Sequence, residues 1–581
     1  MRATAFGLLV ATVVLTTSTD LLGQEPVKPY WLEVVSARRL PQTQAYRLSV
    51  VKEFGLDKQL NRMAMDPLKT PDEFIPGETA DFEPVFGSAY WYLGDGKYQY
   101  NSFYAVPGLE EFNKQLQYHV DRMQGGAEPI VTRKETEDKR TDVTIVVPKP
   151  EGVTSGWLDL HMSHQDGVVI QGSTTISKAI VPRTIKPWLP QLTGKQPFVA
   201  IDFDQIDNDK MSWLTSGLFQ RASTNLGLRD GAVIEHIVNT FFGKNGEAEW
   251  LKDAKTLVMW TDWPIKESDK FEVEATFKFQ PDSNTSKFLQ TLGQNARSLS
   301  LGDKALASGS FSFHVPKENT AFLTQLIADS PLLGDSTLAQ KLKGTLEAGV
   351  LEGALHVGKD QSMPARFAMR YAGEPIDHDD IREVRDNTLA PDEVTDRSGS
   401  PLEEALNLLT DTKTKLAEGF FMAASSEEIL SETEPPQASP GKNRLIDIKV
   451  DLSPLLADSR IEQTRTTLQE IEDWWDFFTF DNRIWWGFRT SKNRQTGNSS
   501  IDNMTITQYI QMQSRFGGSR STLRRKQVSL SKYLTPDRDL SAHLTLDVIP
   551  NGLQFRIVTS RDLHRFWLAR SYAMMARTKT N

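Results

Sequence analysis

The stretch Phe271-Glu272-Val273-Glu274-Ala275-Thr276-Phe277-Lys278-Phe279 decides the fold class, because apolar and polar residues alternate at every position. A period of two places the apolar side chains on one side of an extended chain and the polar ones on the other, so the pattern predicts a half-buried β-strand. The turn-forming run Pro281-Asp282-Ser283-Asn284 follows and can begin a helix. The apolar positions of that helix are Phe288, Leu289 and Leu292.

The same spacing of strand, turn and helix recurs elsewhere in the chain. The last strand phenylalanine, the helix phenylalanine and the helix leucine stand at 279, 288 and 292 in the first copy and at 313, 322 and 326 in the next. Further copies are Phe103, Phe112 and Leu116, a looser one from Phe555 and Ile557 to Phe566, and one shifted by a residue from Phe203 to Trp213. We therefore predict repeated strand–turn–strand–helix units.

Hairpin signals precede or accompany several of these copies. Asp95-Gly96, Asp166-Gly167 and Asn551-Gly552 each lie between two apolar or aromatic runs. Asx-Gly pairs favour tight hairpin turns, because the central residues of those turns need positive φ. Consecutive hairpins followed by amphipathic helices predict an α+β fold of antiparallel sheets, with the helices packed on one face.

The N-terminus has the order of a secretory signal peptide. Arg2 precedes the apolar stretch 5–15, and small and polar residues lead to Gln24. The stretch is shorter than the roughly 20 apolar residues that span a bilayer. We predict a signal peptide over 1–24, export, and a periplasmic, extracellular or cell-surface location with no integral membrane span after cleavage.

Two breaks in composition divide the remainder of the chain. Residues 373–400 are acidic, and 425–443 are rich in glutamate and proline. Ser400-Pro401-Leu402-Glu403 between them resembles a capping box with proline at the first helical position. We predict an N-terminal α+β domain (25–195), a central α+β domain with the internal repeat (196–372), a linker region (373–443) carrying one helix at about 401–418, and a C-terminal α+β domain (444–581).

Composition excludes several classes of function. The net charge of −10 argues against nucleic acid as a partner, because phosphate binding needs a basic surface. The absence of cysteine excludes thiol nucleophiles, disulfides and cysteine-ligated metals. The sequence holds no nucleophile elbow, no His-Glu-x-x-His and no phosphate-binding loop, so we expect no cofactor and no enzymatic activity. A hydrolase with an unrecognised site stays an alternative.

One group of residues has the composition of a metal site. His161, His164 and Asp166 lie within six residues of sequence. His161 falls on a predicted strand, where a spacing of three places His164 on the opposite face or in the turn. We therefore predict structural or surface roles and no metal site, with zinc binding by these three as the weaker alternative.

An aromatic cluster near the C-terminus is the predicted ligand-binding site. Adjacent tryptophans in a helix point to different sides, so some rings are expected at the surface beside charged residues, where they suit sugar rings or a protein partner. The alternative is that these rings close the core at a helix-to-strand corner. The candidate residues are Trp474, Trp475, Trp485, Trp486, Asp476, Asp481 and Arg483.

Two of the copies carry a resemblance. In each, a strand ends in Val-Pro, at 106–107 and at 315–316, and a helix led by phenylalanine follows. This unit resembles those of large exported bacterial α+β proteins of unknown function, which contain repeated strand–proline–helix units. The resemblance implies an exported α+β protein with no assigned activity and no catalytic residues.

These observations together predict an exported, non-catalytic binding or scaffold protein of the bacterial cell envelope. The expected partner is an envelope protein, a glycan or a lipid. The second hypothesis is a carrier that holds an apolar ligand such as lipid in a cavity between sheet and helices.

Overall fold

A computed structural model gives the fold. It describes residues 26–36, 40–56, 85–93, 98–123, 128–147, 159–172, 174–192, 198–205, 249–302, 305–321, 324, 328, 336–359, 365–374, 376, 379–380, 383, 413–439, 443–456, 488–492, 499–503 and 534–577. These residues form helices and extensive antiparallel sheet, which confirms the α+β class.

The chain divides into two compact units. The first comprises residues 1–32 and 75–193, and the second comprises 33–74 and 194–581. Strand β1 (Pro29–Ser36) runs from the first unit into the second.

The first unit contains an antiparallel sheet and one long helix, α2 (Leu109–Met123). Its strands are β2 (Val85–Tyr92), β3 (Tyr98–Ala105), β4 (Ile130–Glu135), β5 (Thr141–Val146), β6 (Asp159–Gln165) and β7 (Val168–Gly172), and short 3-10 helices span Pro182–Thr184 and Lys186–Leu192. These strands pair in the order β2-β3-β7-β6-β5-β4. Asp166 and Gly167 both have positive φ in the β6–β7 turn, as the hairpin signal predicts.

The second unit contains the larger share of the described elements. Its helices are α1 (Leu40–Glu53), α3 (Glu249–Asp253), α4 (Asn284–Gln294), α5 (Thr337–Ala348), α6 (Glu427–Glu432) and α7 (Arg561–Arg577), with 3-10 turns at Phe203–Gln205, Lys317–Asn319 and Ser453–Leu456. Its strands are β8 (Phe198–Asp202), β9 (Ala254–Asp262), β10 (Phe271–Phe279), β11 (Ser298–Ser300), β12 (Ala305–His314), β13 (Val350–Gly358), β14 (Ala365–Arg370), β15 (Lys413–Ala417), β16 (Phe420–Ala424), β17 (Gln437–Ser439), β18 (Arg444–Asp451), β19 (Phe488–Lys492), β20 (Ser499–Asn503), β21 (Ser541–Ile549) and β22 (Gly552–Thr559).

Most of these strands form one antiparallel sheet in the order β8-β9-β10-β22-β21-β18-β12-β13-β14-β16-β15. Strand β10 has the predicted bounds and lies between β9 and β22. The Ser283 hydroxyl accepts a hydrogen bond from the Ser286 amide and so caps the start of α4. The turn residues 281–284 thus lead into α4, as the sequence pattern predicts.

Two other copies also place a helix after a strand. Strand β3 is followed by α2, and β22 by α7. Phe103, Phe112 and Phe566 are buried in these elements. Phe322, Leu326 and Trp213 of the remaining copies lie outside the described residues, so the repeat stays a prediction.

Helices contact both faces of the sheet at β16, where the prediction of helices on one face does not hold. Phe421 and Ala423 pack in a cluster with Leu338 and Leu342 of α5. Met422, which points the opposite way, packs in a cluster with Leu430 of α6. The alternation along β16 therefore separates two cores.

The predicted helix at about 401–418 is wrong in its last part, because 413–417 form strand β15. The turn Glu418-Gly419, in which both residues have positive φ, joins that strand to β16. Residues 401–412 lie outside the described residues. The predicted boundaries at 372 and 443 fall inside the second unit, where β12 pairs with both β13 and β18 across them.

Candidate functional site

An apolar patch occupies the middle of the large sheet in the second unit. Strand registers align eight aliphatic or glycine residues in two rows on β21, β18, β12 and β13, with side chains on the same face. At the usual strand spacing the patch is roughly 14 Å long across the strands. Its residues are Ala542, Val450, Ala307 and Val357 in one row and Leu544, Ile448, Gly309 and Leu355 in the other.

Three helices lie around the apolar patch on this face. Helix α4 packs Leu289 and Leu292 against Val548 at the far end of β21. Helix α5 packs against Phe367 of β14, the strand next to β13. A helix with its side chains is about 10–12 Å in diameter, so these helices rise above the patch at its margins. We call the space between them the depression and the apolar patch its floor.

The third side of the depression is formed by α7. His564 of α7 is buried and stacks on Phe271 of β10, with ring centroids 3.9 Å apart and an interplanar angle of 9°. The apolar side chains of β10 are therefore not equally buried. Phe271 and Phe279 are buried, whereas Val273 is only half-buried.

The floor of the depression is open to solvent. Leu355 is 45% exposed and Ile448 is 40% exposed, and the other six residues of the apolar patch are partly buried. No residue in either row carries a charge or a hydrogen-bonding side chain. Covering such a surface with apolar groups is favourable, whereas burying an unpaired polar group against it is costly.

The opposite face of the same sheet carries a cluster around a buried carboxylate. The Glu352 side chain is fully buried between β12 and β14. Arg297 donates to both carboxylate oxygens through Nε and Nη2 at 2.9 Å, and Arg370 Nε donates to Oε2 at 2.9 Å. Burial raises the pKa of Glu352, but the bonds from Arg297, His314 and Arg370 outweigh it and hold that pKa at about 2.

The residue types of this cluster suggest a hydrolytic triad, but the geometry does not match one. Ser312 and His314 both bond directly to Glu352 Oε1, at 3.2 and 2.9 Å. In a triad the histidine lies between the hydroxyl and the carboxylate and takes the proton of the hydroxyl. Ser312 is also fully buried. The cluster therefore supplies no activated nucleophile.

A second ion cluster lies two strands away on the same face. Asp447 accepts hydrogen bonds from His543 Nε2 at 2.8 Å and from Arg444 Nη1 at 3.1 Å. Burial raises the pKa of Asp447, but these bonds outweigh it and hold that pKa at about 2. Arg444 also donates to Asp547. Both acids of this cluster thus have Arg444 as a partner.

The Tyr46–His564 pair at α7 differs from these two ion clusters, because its histidine is held neutral. The Tyr46 hydroxyl and His564 Nδ1 form a hydrogen bond of 2.9 Å. Burial, reinforced by the charges of Arg47 and Arg565, lowers the pKa of His564 to about 3. Burial also raises the pKa of Tyr46. This pair is a packing element of the apolar side.

His161, His164 and Asp166, the weaker alternative for a zinc site, have separate surroundings in the structure. His164 stacks on Phe112, with ring centroids 4.9 Å apart, and burial lowers its pKa. His161 Nδ1 instead bonds to the Thr144 hydroxyl at 3.2 Å, and Asp166 lies in the β6–β7 turn. Within the part of the chain that the structure describes, no three histidine, aspartate or glutamate side chains are grouped to hold a metal ion.

The predicted aromatic ligand site lies outside the described residues. This applies to Trp474, Trp475, Trp485 and Trp486 and to Asp476, Asp481 and Arg483. Among the helices that the structure does describe, none has the length and apolar character needed to cross a bilayer.

Comparison with known proteins gave no family model, no curated protein and no solved structure that matches this chain. The candidate surfaces therefore stand on geometry alone.

Sequence reasoning missed both the apolar patch and the Glu352 cluster. A signal for Glu352 exists: it is the only charge in the run Gly349-Val-Leu-Glu-Gly-Ala-Leu355. A lone carboxylate in an apolar strand must find partners, since burying it unpaired is costly. Its arginines, 55 positions before and 18 after it, could not be identified from that run.

Proposed function

We propose that this chain is an exported, non-catalytic binding protein of the bacterial cell envelope that holds an apolar chain, such as the acyl part of a lipid. The observation that supports this proposal is the apolar patch, an uncharged floor that remains partly exposed between three helices. The signal-like N-terminus supports export, and the resemblance to large exported bacterial proteins agrees with it.

Shape favours an apolar chain over a broad protein partner. The two rows of the patch take up about 7 Å along the strands. The next row on the same face is also apolar, but its Ile446 and Leu546 pack against the cluster under α4, so they do not widen the exposed part. A narrow depression admits a chain laid across the strands more readily than a flat protein surface, which needs about 800 Å² per partner. Ligand sites of this kind are concave and lined mainly by apolar side chains.

The first test is native mass spectrometry of the mature protein purified from its own host. We expect a bound mass that is lost on denaturation and identified as lipid. A protein that is free of ligand and co-purifies with another protein through Leu355 and Ile448 would replace the lipid proposal with the scaffold hypothesis.

The second test is binding of a fluorescent fatty acid to the double variant Leu355→Gln, Ile448→Gln. Each substitution puts an amide on the floor, so we expect the affinity to fall by about tenfold or more. Ile130→Gln is the matched control, because Ile130 is 60% exposed on β4 of the first unit. Equal affinity in the double variant and the control would contradict the proposal.

A further inference from the structure

The cluster around Glu352 contains more positively charged hydrogen-bond donors than the single carboxylate can pair with. Arg297 and Arg370 share the single buried Glu352, so the two guanidinium groups exceed the carboxylate by one positive charge. Both arginines are 38% exposed, whereas Glu352 is not exposed at all. The buried carboxylate therefore anchors two cations whose side chains remain partly exposed.

The unused donors can be named. Arg370 donates to Glu352 through Nε alone, and its guanidinium lies 4.9 Å from the centre of the Phe420 ring. No other acceptor among the described residues contacts its two Nη groups. Arg297 uses Nε and Nη2 on Glu352, which leaves Nη1.

The two groups are also close together and rigidly held. Arg297 Nη2 and Arg370 Nε both donate to Oε2, so these nitrogens are less than about 6 Å apart. The ring of Phe420 and the bidentate bond fix the two planes, which lowers the conformational cost of binding. Asp447, two strands from Glu352 on the same face, is already engaged by Arg444 and His543.

We infer that Arg297 and Arg370 form a binding site for a compact oxyanion of the phosphate class. Planar guanidinium groups donate in pairs to phosphate oxygens, and Glu352 presets their positions. The site lies on the face opposite the apolar patch, because Glu352 and Leu355 occupy alternate sides of β13. It therefore does not depend on the proposed lipid binding.

Equilibrium dialysis with inorganic phosphate at constant ionic strength tests this inference. We expect Arg370→Gln to lower the affinity by about tenfold or more, since one charge-assisted contact is lost. Arg370→Gln leaves the bidentate Arg297–Glu352 pair intact, so the fold is expected to persist. The matched control is Arg556→Gln, because Arg556 is 50% exposed on the same face and pairs with Glu272.

A second arm distinguishes free phosphate from a lipid headgroup. Vesicles of phosphatidylglycerol and of phosphatidylcholine are compared with the wild type and both variants. Arg370-dependent binding of free phosphate indicates a soluble ligand, and Arg370-dependent binding of phosphatidylglycerol vesicles alone indicates a headgroup. The inference is overturned if neither probe binds, or if Arg556→Gln weakens binding as much as Arg370→Gln.

Discussion

The two faces of the large sheet are built from the same strands but are stabilised in different ways. On β13, Leu355 is part of the uncharged floor, and Glu352 on the other side is enclosed by two arginines and a histidine. The apolar face depends on shape and on groups that stay neutral, such as His564. The polar face depends on groups that stay charged, such as Glu352 and Asp447. Perturbing charge and perturbing shape should therefore affect the two faces separately.

The largest expected effect comes from removing the charge at the centre of the polar face. We expect Glu352→Gln to lower the free energy of unfolding by about 3 kcal/mol, because two arginines lose their buried partner. Glu272→Gln is the matched control, since Glu272 pairs with the exposed Arg556 and should lose less than about 1 kcal/mol. Urea unfolding monitored by circular dichroism measures both. Similar losses in the two variants would mean that the buried cluster is no stronger than a surface pair.

The comparison also shows what the sequence can predict. Alternation over Phe271–Phe279 predicts β10 with the bounds that the structure has, and Asn551-Gly552 predicts the β21–β22 turn, because these signals are local. The pairing of β10 with β22, about 280 positions later, depends on long-range packing that no local pattern encodes. The apolar patch is missed for the same reason, since its rows combine residues from four strands that are distant in sequence.

The second prediction uses the pH dependence of folding stability to distinguish the two faces. His564 has a pKa of about 3 in the folded protein, below the value of about 6.5 for an unfolded histidine. Because the unfolded chain then binds a proton more readily, the contribution of neutral His564 to folding stability is complete above pH 6.5 and is lost as the pH falls. The loss is about 1.4 kcal/mol per pH unit, or about 2–3 kcal/mol by pH 4.5. Glu352, with a folded pKa of about 2, contributes above pH 4.5, and its share is lost only between pH 4.5 and 2.

Urea unfolding at a series of pH values measures these two windows. We expect the double variant Tyr46→Phe, His564→Phe to flatten the slope between pH 6.5 and 4.5, because it keeps the stacked rings and removes the titrating group and its hydroxyl partner. Glu352→Gln should instead flatten only the slope below pH 4.5. A slope that is unchanged by the His564 variant in the upper window would show that another group controls it.

The smallest expected effect concerns shape on the apolar face and compares two glycines. A Cβ on Gly353 would lie 2.5 Å from ring atoms of Phe311, whereas a Cβ on Gly309 would meet Ile448 Cγ1 at an ordinary 3.5 Å. We expect Gly353→Ala to cost about 1–2 kcal/mol, because the Phe311 ring must move to make room for the added methyl group. Gly309→Ala should change stability by less than about 0.5 kcal/mol, since its floor position is open. Denaturation midpoints of the two variants test this difference, and a larger loss in Gly309→Ala would show that the floor is as tightly packed as the face beneath the helices.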